Sequence, residues 1–209
     1  MRECKVEAAR TVAYAAATND DHPRHANGEL APPVFAVVPV WEAMTEAVGR
    51  ITPPEVLMRV VHASQDMRFH QPLVPGDLIC SRAAPLGVTV RGTGTTLLVR
   101  TESRHCGIGG HTRTSGDGEM VNEQYVTMFF RGASEGESGG QEPPSHKLSA
   151  ATKAGGPVAE VAQPVDADQT FRYADASGDR LAIHLDEGIA RSVGFPGIIV
   201  HGLCTMAFA

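Results

Sequence analysis

Paired-cysteine motifs, long apolar runs and an excess of positive charge are all missing from this chain of 209 residues. The four cysteines, Cys4, Cys80, Cys106 and Cys204, form no CxxC and no Cys/His spacing of the kind that grips zinc. They read as reduced core or surface thiols rather than as a metal site or a disulfide framework. No apolar run approaches the roughly 20 residues that cross a bilayer, and the opening MRECKVEAARTVAY lacks the apolar stretch of a secretory leader. With 18 Lys and Arg against 24 Asp and Glu, the formal net charge of −6 argues against nucleic-acid or anionic-membrane partners. The resulting expectation is a cytoplasmic protein.

Residues 132–163 lack something else. The stretch GASEGESGGQEPPSHKLSAATKAGGPVAEVAQ holds almost no large apolar side chains. Too little surface can be buried there to offset chain entropy, so it is expected to be a linker. Elsewhere a hydrophobic fraction of 42% suffices for a packed core, and the length suits one to two modules.

Before the linker, residues 2–17 suit a strand and a helical turn leading to Tyr14. PVWEAMTEAVGR, 39–50, opens on Pro, repeats Trp41, Met44, Ala47 and Val48 at three-and-four spacing, and closes near Gly49. That predicts a buried helix in which Trp41 and Met44 are core residues. From Pro54 the pattern turns to strands rich in Val, Thr, Leu and aromatics, with Gly87, Gly92 and Gly94 marking a turn or bulge. His62, His70, His105 and His111 lack ligand-like spacing and are expected to be exposed or at strand edges.

Chemistry concentrates between Tyr173 and Met206. A Ser177-Gly178-Asp179 turn places Asp179 five residues before His184. The apolar run Phe195 to Val200 ends at His201-Gly202, where a helix is expected to start. The carboxylate can take a proton from water, the imidazole can hold or protonate it, and N–H groups at a helix start can steady a thioester oxyanion. The plain alternative uses the same residues as a turn and a helix cap.

This segment also repeats an earlier one. YAAATNDDHPRH set without a gap on YADASGDRLAIH pairs Tyr14 with Tyr173, Thr18 with Ser177, Asp20 with Asp179 and His25 with His184. APPVFAVVP then parallels GFPGIIVHG after a length difference of four residues. The chain is expected to carry two copies of one unit. The first is degenerate: Asn19 replaces Gly178, and the His-Gly step gives way to a segment with Pro39 and Val40, where proline offers no N–H. Asp20 and His25 are then relics or pocket-lining loop residues.

The stretch resembles the signature of the MaoC-like dehydratases, the (R)-specific enoyl-CoA hydratase group. Tyr173, Ser177, Gly178, Asp179, Ile183, His184, Asp186, Ala190, Gly194, Phe195, His201, Gly202 and Leu203 fall in the family's order, while Leu181 and Ala182 stand where it has Asn and Pro. HASQDMRFHQPLVPGDLI is similar to the second-strand region of such domains. The resemblance implies an α+β hot-dog fold, a central helix wrapped by a bent antiparallel sheet. It implies a tandem of units: a complete, degenerate one over 1–131, a linker over 132–164, and an incomplete one over 165–209. The expected activity is reversible hydration of a trans-2-enoyl-CoA to the (R)-3-hydroxyacyl-CoA. Asp179 would be the base, His184 would orient water and assist proton delivery, and the Gly202 N–H would receive the oxyanion. Ser177, Gly178, Leu181 and His201 would complete the substrate-binding set, and residues 1–131 would hold the acyl chain. No metal or other cofactor is implied beyond the CoA thioester itself. The expected partners are the acyl-CoA and either a second copy or a complementing hot-dog subunit. Three alternatives stay open: a non-catalytic thioester-binding or partner subunit, a dehydratase acting on acyl-carrier-protein substrates, and a thioesterase. The last usually keeps its carboxylate on the central helix.

Overall fold

The computed structural model describes residues 1–106 and 118–209, so the expectation for His111 lies outside the described residues. The chain opens with β1 (Arg2–Lys5), α1 (Ala8–Ala17) and the single turn α2 (Pro23–Ala26). A 3-10 turn over Pro33–Ala36 runs directly into α3 (Val37–Gly49), which therefore begins two residues before the expected start at Pro39. Pro39 is tolerated because a first-turn N–H has no intrahelical partner to lose. Val37, Val40, Met44 and Val48 recur at helical spacing and are buried.

After a short α4 (Pro54–Leu57) come four long strands, β2 (Val60–Phe69), β3 (Leu78–Arg91), β4 (Gly94–His105) and β5 (Met120–Arg131). They pair antiparallel in the order β1-β3-β4-β5-β2, and α3 packs against β3 and β4. The glycine-rich turn is a hairpin in which Arg91 faces Gly94, and β3 slips register between Pro85 and Gly87. A side chain on Gly94 would collide with Phe130 O, which is why that corner requires glycine.

Two expectations need correction here. The antiparallel register sets Cys80 opposite Arg104, which brings Cys80 to Cys106, and the two form a disulfide with Cα atoms 5.1 Å apart. Only Cys4 and Cys204 are free thiols. The segment after residue 131 is also more than a loose tether. A two-residue strand, β6 (Gly139–Gly140), pairs with Gly87 and Val88, and Ser138 Oγ accepts from Val90 N at 2.9 Å. His146 Nε2 then lies 3.0 Å from Asp66 on β2, at the opposite edge of the sheet. The exposed α5 (Ala150–Gly155), capped by Ser149, follows.

The last segment holds α6 (Gln169–Ser177), a 3-10 turn over Ala182–His184, α7 (Glu187–Ser192) and α8 (Gly202–Ala207). The apolar run 195–200, which the family pattern makes a strand, is irregular coil in the structure. Pro196 has no N–H to offer a ladder. Helices α1 and α6 pack together in a way that reproduces the sequence repeat. Tyr14 OH and Tyr173 OH meet at 3.2 Å. Arg10 Nε donates to Ala176 O at 3.2 Å, while Gln169, its counterpart in the repeat, donates to Ala17 O at 2.6 Å. Contacts that exchange partners in this manner are those of a local pseudo-twofold axis between the tyrosines. One hydrophobic cluster joins both copies through Tyr14, Phe35, Ile79, Tyr173, Leu203 and Cys204. A second lies between α3 and the sheet, around Met44, Val48, Leu97, Val99 and Phe130.

Candidate active site

Helix α6 ends at Gly178, whose φ of +89° is the left-handed conformation that glycine adopts without a Cβ penalty. The chain turns there, and Asp179 is held on three sides. Its N–H donates to Ser177 Oγ at 3.1 Å, and its carbonyl accepts from His201 Nε2 at 3.0 Å. Its Oδ1 accepts from Leu181 N at 3.2 Å. Ser177 Oγ in turn donates to Tyr173 O at 2.7 Å. Burial raises the Asp179 carboxyl above the ordinary aspartate range, against the lowering influence of the Leu181 N–H and of His184.

His184 closes the adjoining 3-10 turn. Its Nδ1 lies 2.7 Å from Ile199 O, and since a carbonyl only accepts, Nδ1 carries a proton and Nε2 is the ring nitrogen left free of that contact. The ring stacks on His201 with centroids 3.8 Å apart. His201 is fully buried, with Nδ1 at 3.1 Å from Thr170 Oγ1 and Nε2 on the Asp179 carbonyl. Burial, and then His184, push His201 down to about 3, so it is neutral with its Nε2–H donating to the Asp179 carbonyl, while Nδ1 lies beside Thr170 Oγ1, whose hydroxyl donates to His184 O at 2.9 Å.

Asp179, His184 and His201 offer donor atoms within 4.8 Å of one another, close enough to gather a metal ion. The donor set does not fit one. Both His201 nitrogens lie against protein atoms, which leaves a carboxylate and a single imidazole nitrogen.

Asp179, Leu181, His184 and Gly202 line a cavity of about 430 Å³. Ser177, Gly178 and His201 do not reach it; they stand behind Asp179 and fix its backbone. The remaining wall is mostly apolar: Ile183, Ile199, Val200 and Leu203 come from the last segment, and the rest includes Trp41, Met44 and Val48 of α3, Val60 of β2 and Met128 of β5. Trp41 and Met44, read from sequence as core, thus also face this space. Asp20 and His25 do not line it, for they bond each other at 2.7 Å. Sequence reasoning missed His62, Gln65 and Gln124, all in the cavity wall. His62 is exposed on the edge strand β2, as expected, and it also lines the cavity, which no spacing signal could have shown.

Across the loop, Arg131 on β5 donates to Val193 O and covers the Phe195 ring at 4.4 Å. This ties the motif segment to the sheet.

A model of the MaoC like domain matches residues 149–209, and one of the FAS1-like dehydratase domain region matches residues 2–111, more than half the chain. The chain belongs to the family of the FAS1-like dehydratase domain region, and its residues 149–209 match the MaoC like domain. It is 30% identical over 177 residues to Enoyl-CoA hydratase ChsH3 of Mycobacterium tuberculosis, an alignment covering 81% of this chain and 57% of that protein. The chain thus spans little more than half the length of that relative. The crystal structure of a MaoC-like dehydratase from Phytophthora capsici superposes with a TM-score of 0.73 at 21% identity, covering 99% of this chain and 70% of that one. A Mycobacterium tuberculosis protein described as a double hot-dog fold gives 0.55 at 15% identity, over 100% of this chain and 70% of its own. These likenesses make the architecture a hot-dog fold, with α3 as the helix in the grip of the sheet. No helix among the described residues is long and apolar enough to cross a membrane.

Proposed function

We propose that this MaoC-like protein hydrates trans-2-enoyl-CoA thioesters reversibly to (R)-3-hydroxyacyl-CoA. The observation that carries the reading is one wall of the cavity. Asp179 Oδ2 and His184 Nε2 have no protein partner there among the described residues, and both open onto a space that is otherwise apolar. The name of ChsH3 supports the same reaction class.

In this reading a water lies between Asp179 and His184 and attacks C3 of the enoyl group. Asp179 takes the water proton, which its raised proton affinity favours near neutral pH. Electron density moves from the double bond to the thioester oxygen. As the first residue of α8, Gly202 has an N–H without an intrahelical partner, and it meets that oxygen. The proton held at Asp179 then returns to C2, with His184 Nε2 assisting, so water is added across the bond and nothing else is consumed. Ser177, Gly178 and His201 act by holding Asp179, and Leu181 packs against the substrate. The acyl chain runs along α3 past Met44 and Val48. The reading includes association of hot-dog sheets, with a second copy or with a complementing subunit, since β2 is an edge strand.

Loss of enoyl absorbance from crotonyl-CoA and from a longer enoyl-CoA tests the proposal, using this chain and its Asp179→Asn variant. Turnover that falls at least about a hundredfold in the variant supports it. Binding of both thioesters without turnover would replace it with a binding-subunit role.

A further inference from the structure

Three side chains outside the cavity stand together on the sheet. Glu3 of β1 is the cross-strand partner of Cys80 on β3, and directly opposed residues project from the same face. Cys80 in turn faces Arg104 of β4. Cys106 follows two residues after Arg104, its N–H donating to Leu78 O at 2.8 Å, so the alternation of the ladder returns its side chain to that face. One Glu3 carboxylate oxygen and the two sulfurs thereby lie within 4.8 Å of one another. None of the three lines the cavity of the proposed reaction.

What this group can bind depends on its redox state. Joined as a disulfide, the sulfurs offer no thiolate to a cation. A dithiol or a phosphine supplies the two electrons that break the bond, and two protons from water or the dithiol complete two thiols. The thiols then stay adjacent, because the hydrogen-bonded register of β1, β3 and β4 holds their backbones in place. Thiolate sulfur sits about 2.3 Å and carboxylate oxygen about 2.1 Å from zinc, so ligand atoms around one tetrahedral ion stand about 3.5–3.8 Å apart. Atoms already gathered within 4.8 Å reach that spacing by side-chain rotation once the sulfurs part. Both cysteines are buried, while Glu3 is exposed and gives an ion its way in. Two thiolates and a carboxylate carry three negative charges; a divalent ion leaves one, and Arg104 stands opposite Cys80 to offset it.

We propose that the reduced protein binds one zinc(II) ion between Cys80, Cys106 and Glu3, with water as the fourth ligand. Binding displaces the two thiol protons to solvent, and no electrons move in that step. The disulfide joins only β3 to β4, whereas the ion also ties down β1, a strand of four residues. The site is independent of the reaction at Asp179.

Cobalt(II), whose thiolate complexes absorb in the near ultraviolet, tests it in the full chain. After reduction by a phosphine and removal of the excess without air, the thiolate-to-metal band should grow to saturation at one equivalent, and zinc should bleach it. The oxidised protein should give no such band. Asp179, His184 and His201 cannot produce it, since that group contains no sulfur. Cys4→Ser should leave the band intact and Cys106→Ser should abolish it. Glu3→Gln, a change at an exposed position, should keep the band but weaken cobalt binding by at least about tenfold. Zinc should also raise the urea midpoint of the reduced protein and leave that of the oxidised protein unchanged. A reduced protein without the band overturns the proposal. So does a band that is lost in Cys4→Ser, or one that Glu3→Gln retains at full affinity.

Discussion

Protonation of His201 should be a main route by which acid unfolds this protein. The imidazole is fully buried against His184 and donates to the Asp179 carbonyl, with Thr170 on its other nitrogen. Burial, followed by His184, lowers it from 6.5 to about 3. An unfolded chain would protonate this residue near pH 6.5, while the folded one refuses the proton until about pH 3. Between those limits the unfolded state binds more protons, so stability is lost as pH falls. From pH 7.5 to pH 4.5 the loss from this residue is roughly 3 kcal/mol, and by pH 3 it reaches roughly 4 kcal/mol. His201→Gln keeps a donor for Asp179 O but cannot take up a proton. It should cost about 1–2 kcal/mol at pH 7.5 through lost stacking. Urea unfolding of both proteins at pH 7.5 and 4.5 isolates the effect, because titratable groups away from His201 contribute equally to the two. The wild type should lose about 3 kcal/mol more than the variant on acidification. A variant that loses as much as the wild type would show that His201 is not held neutral in the folded protein.

The tyrosine pair across the pseudo-twofold axis should behave non-additively. Tyr14→Phe or Tyr173→Phe alone leaves one buried hydroxyl without its 3.2 Å partner and should cost about 1–2 kcal/mol, whereas the double variant should cost less than the sum by thermal or urea unfolding. Cys80 and Cys106 lie 26 residues apart in sequence, so reducing or replacing the bond should destabilise the fold by roughly 3.5 kcal/mol on loop entropy, measured as a shift in urea midpoint.

Much of this site could be read from sequence because its parts are local. A helix end, a left-handed glycine, an aspartate and a histidine lie within eight residues, Ser177 to His184, and the backbone between them fixes their relation. The repeat was legible for the same reason, and the exchanged Arg10 and Gln169 contacts follow its register. What escaped is whatever depends on strand register. The Cys80–Cys106 bond requires knowing that Ile79 faces His105. The entry of His62 into the cavity requires a bulge that no residue type announces, since His-Ala-Ser-Gln alternates like any strand. The apolar run 195–200 shows the reverse. Its composition suits a sheet, but a strand also needs a neighbouring edge to pair with, and composition carries no information about neighbours.

The two copies of the motif separate at a single hydrogen bond. In both, the aspartate Oδ1 accepts from the backbone N–H two residues on: His22 N to Asp20 at 3.0 Å, Leu181 N to Asp179 at 3.2 Å. In both, the preceding residue has positive φ, Asn19 at 53° and Gly178 at 89°. In both, the hydroxyl before it bonds the tyrosine carbonyl, Thr18 to Tyr14 O and Ser177 to Tyr173 O. The histidines then diverge. His25 turns its Nδ1 onto Asp20 Oδ2 at 2.7 Å, so the carboxylate and the imidazole satisfy each other. His184 instead gives its Nδ1 proton to Ile199 O, a carbonyl in the coil that follows α7. The second aspartate oxygen and the second imidazole nitrogen are thereby left facing the cavity. An Asp–His pair open to the cavity therefore requires more than an Asp and a His five residues apart; it requires a third group that takes the histidine's Nδ1 proton. In the second copy the irregular run 195–200 supplies that group, and this gives a physical reason for the run to remain outside the sheet.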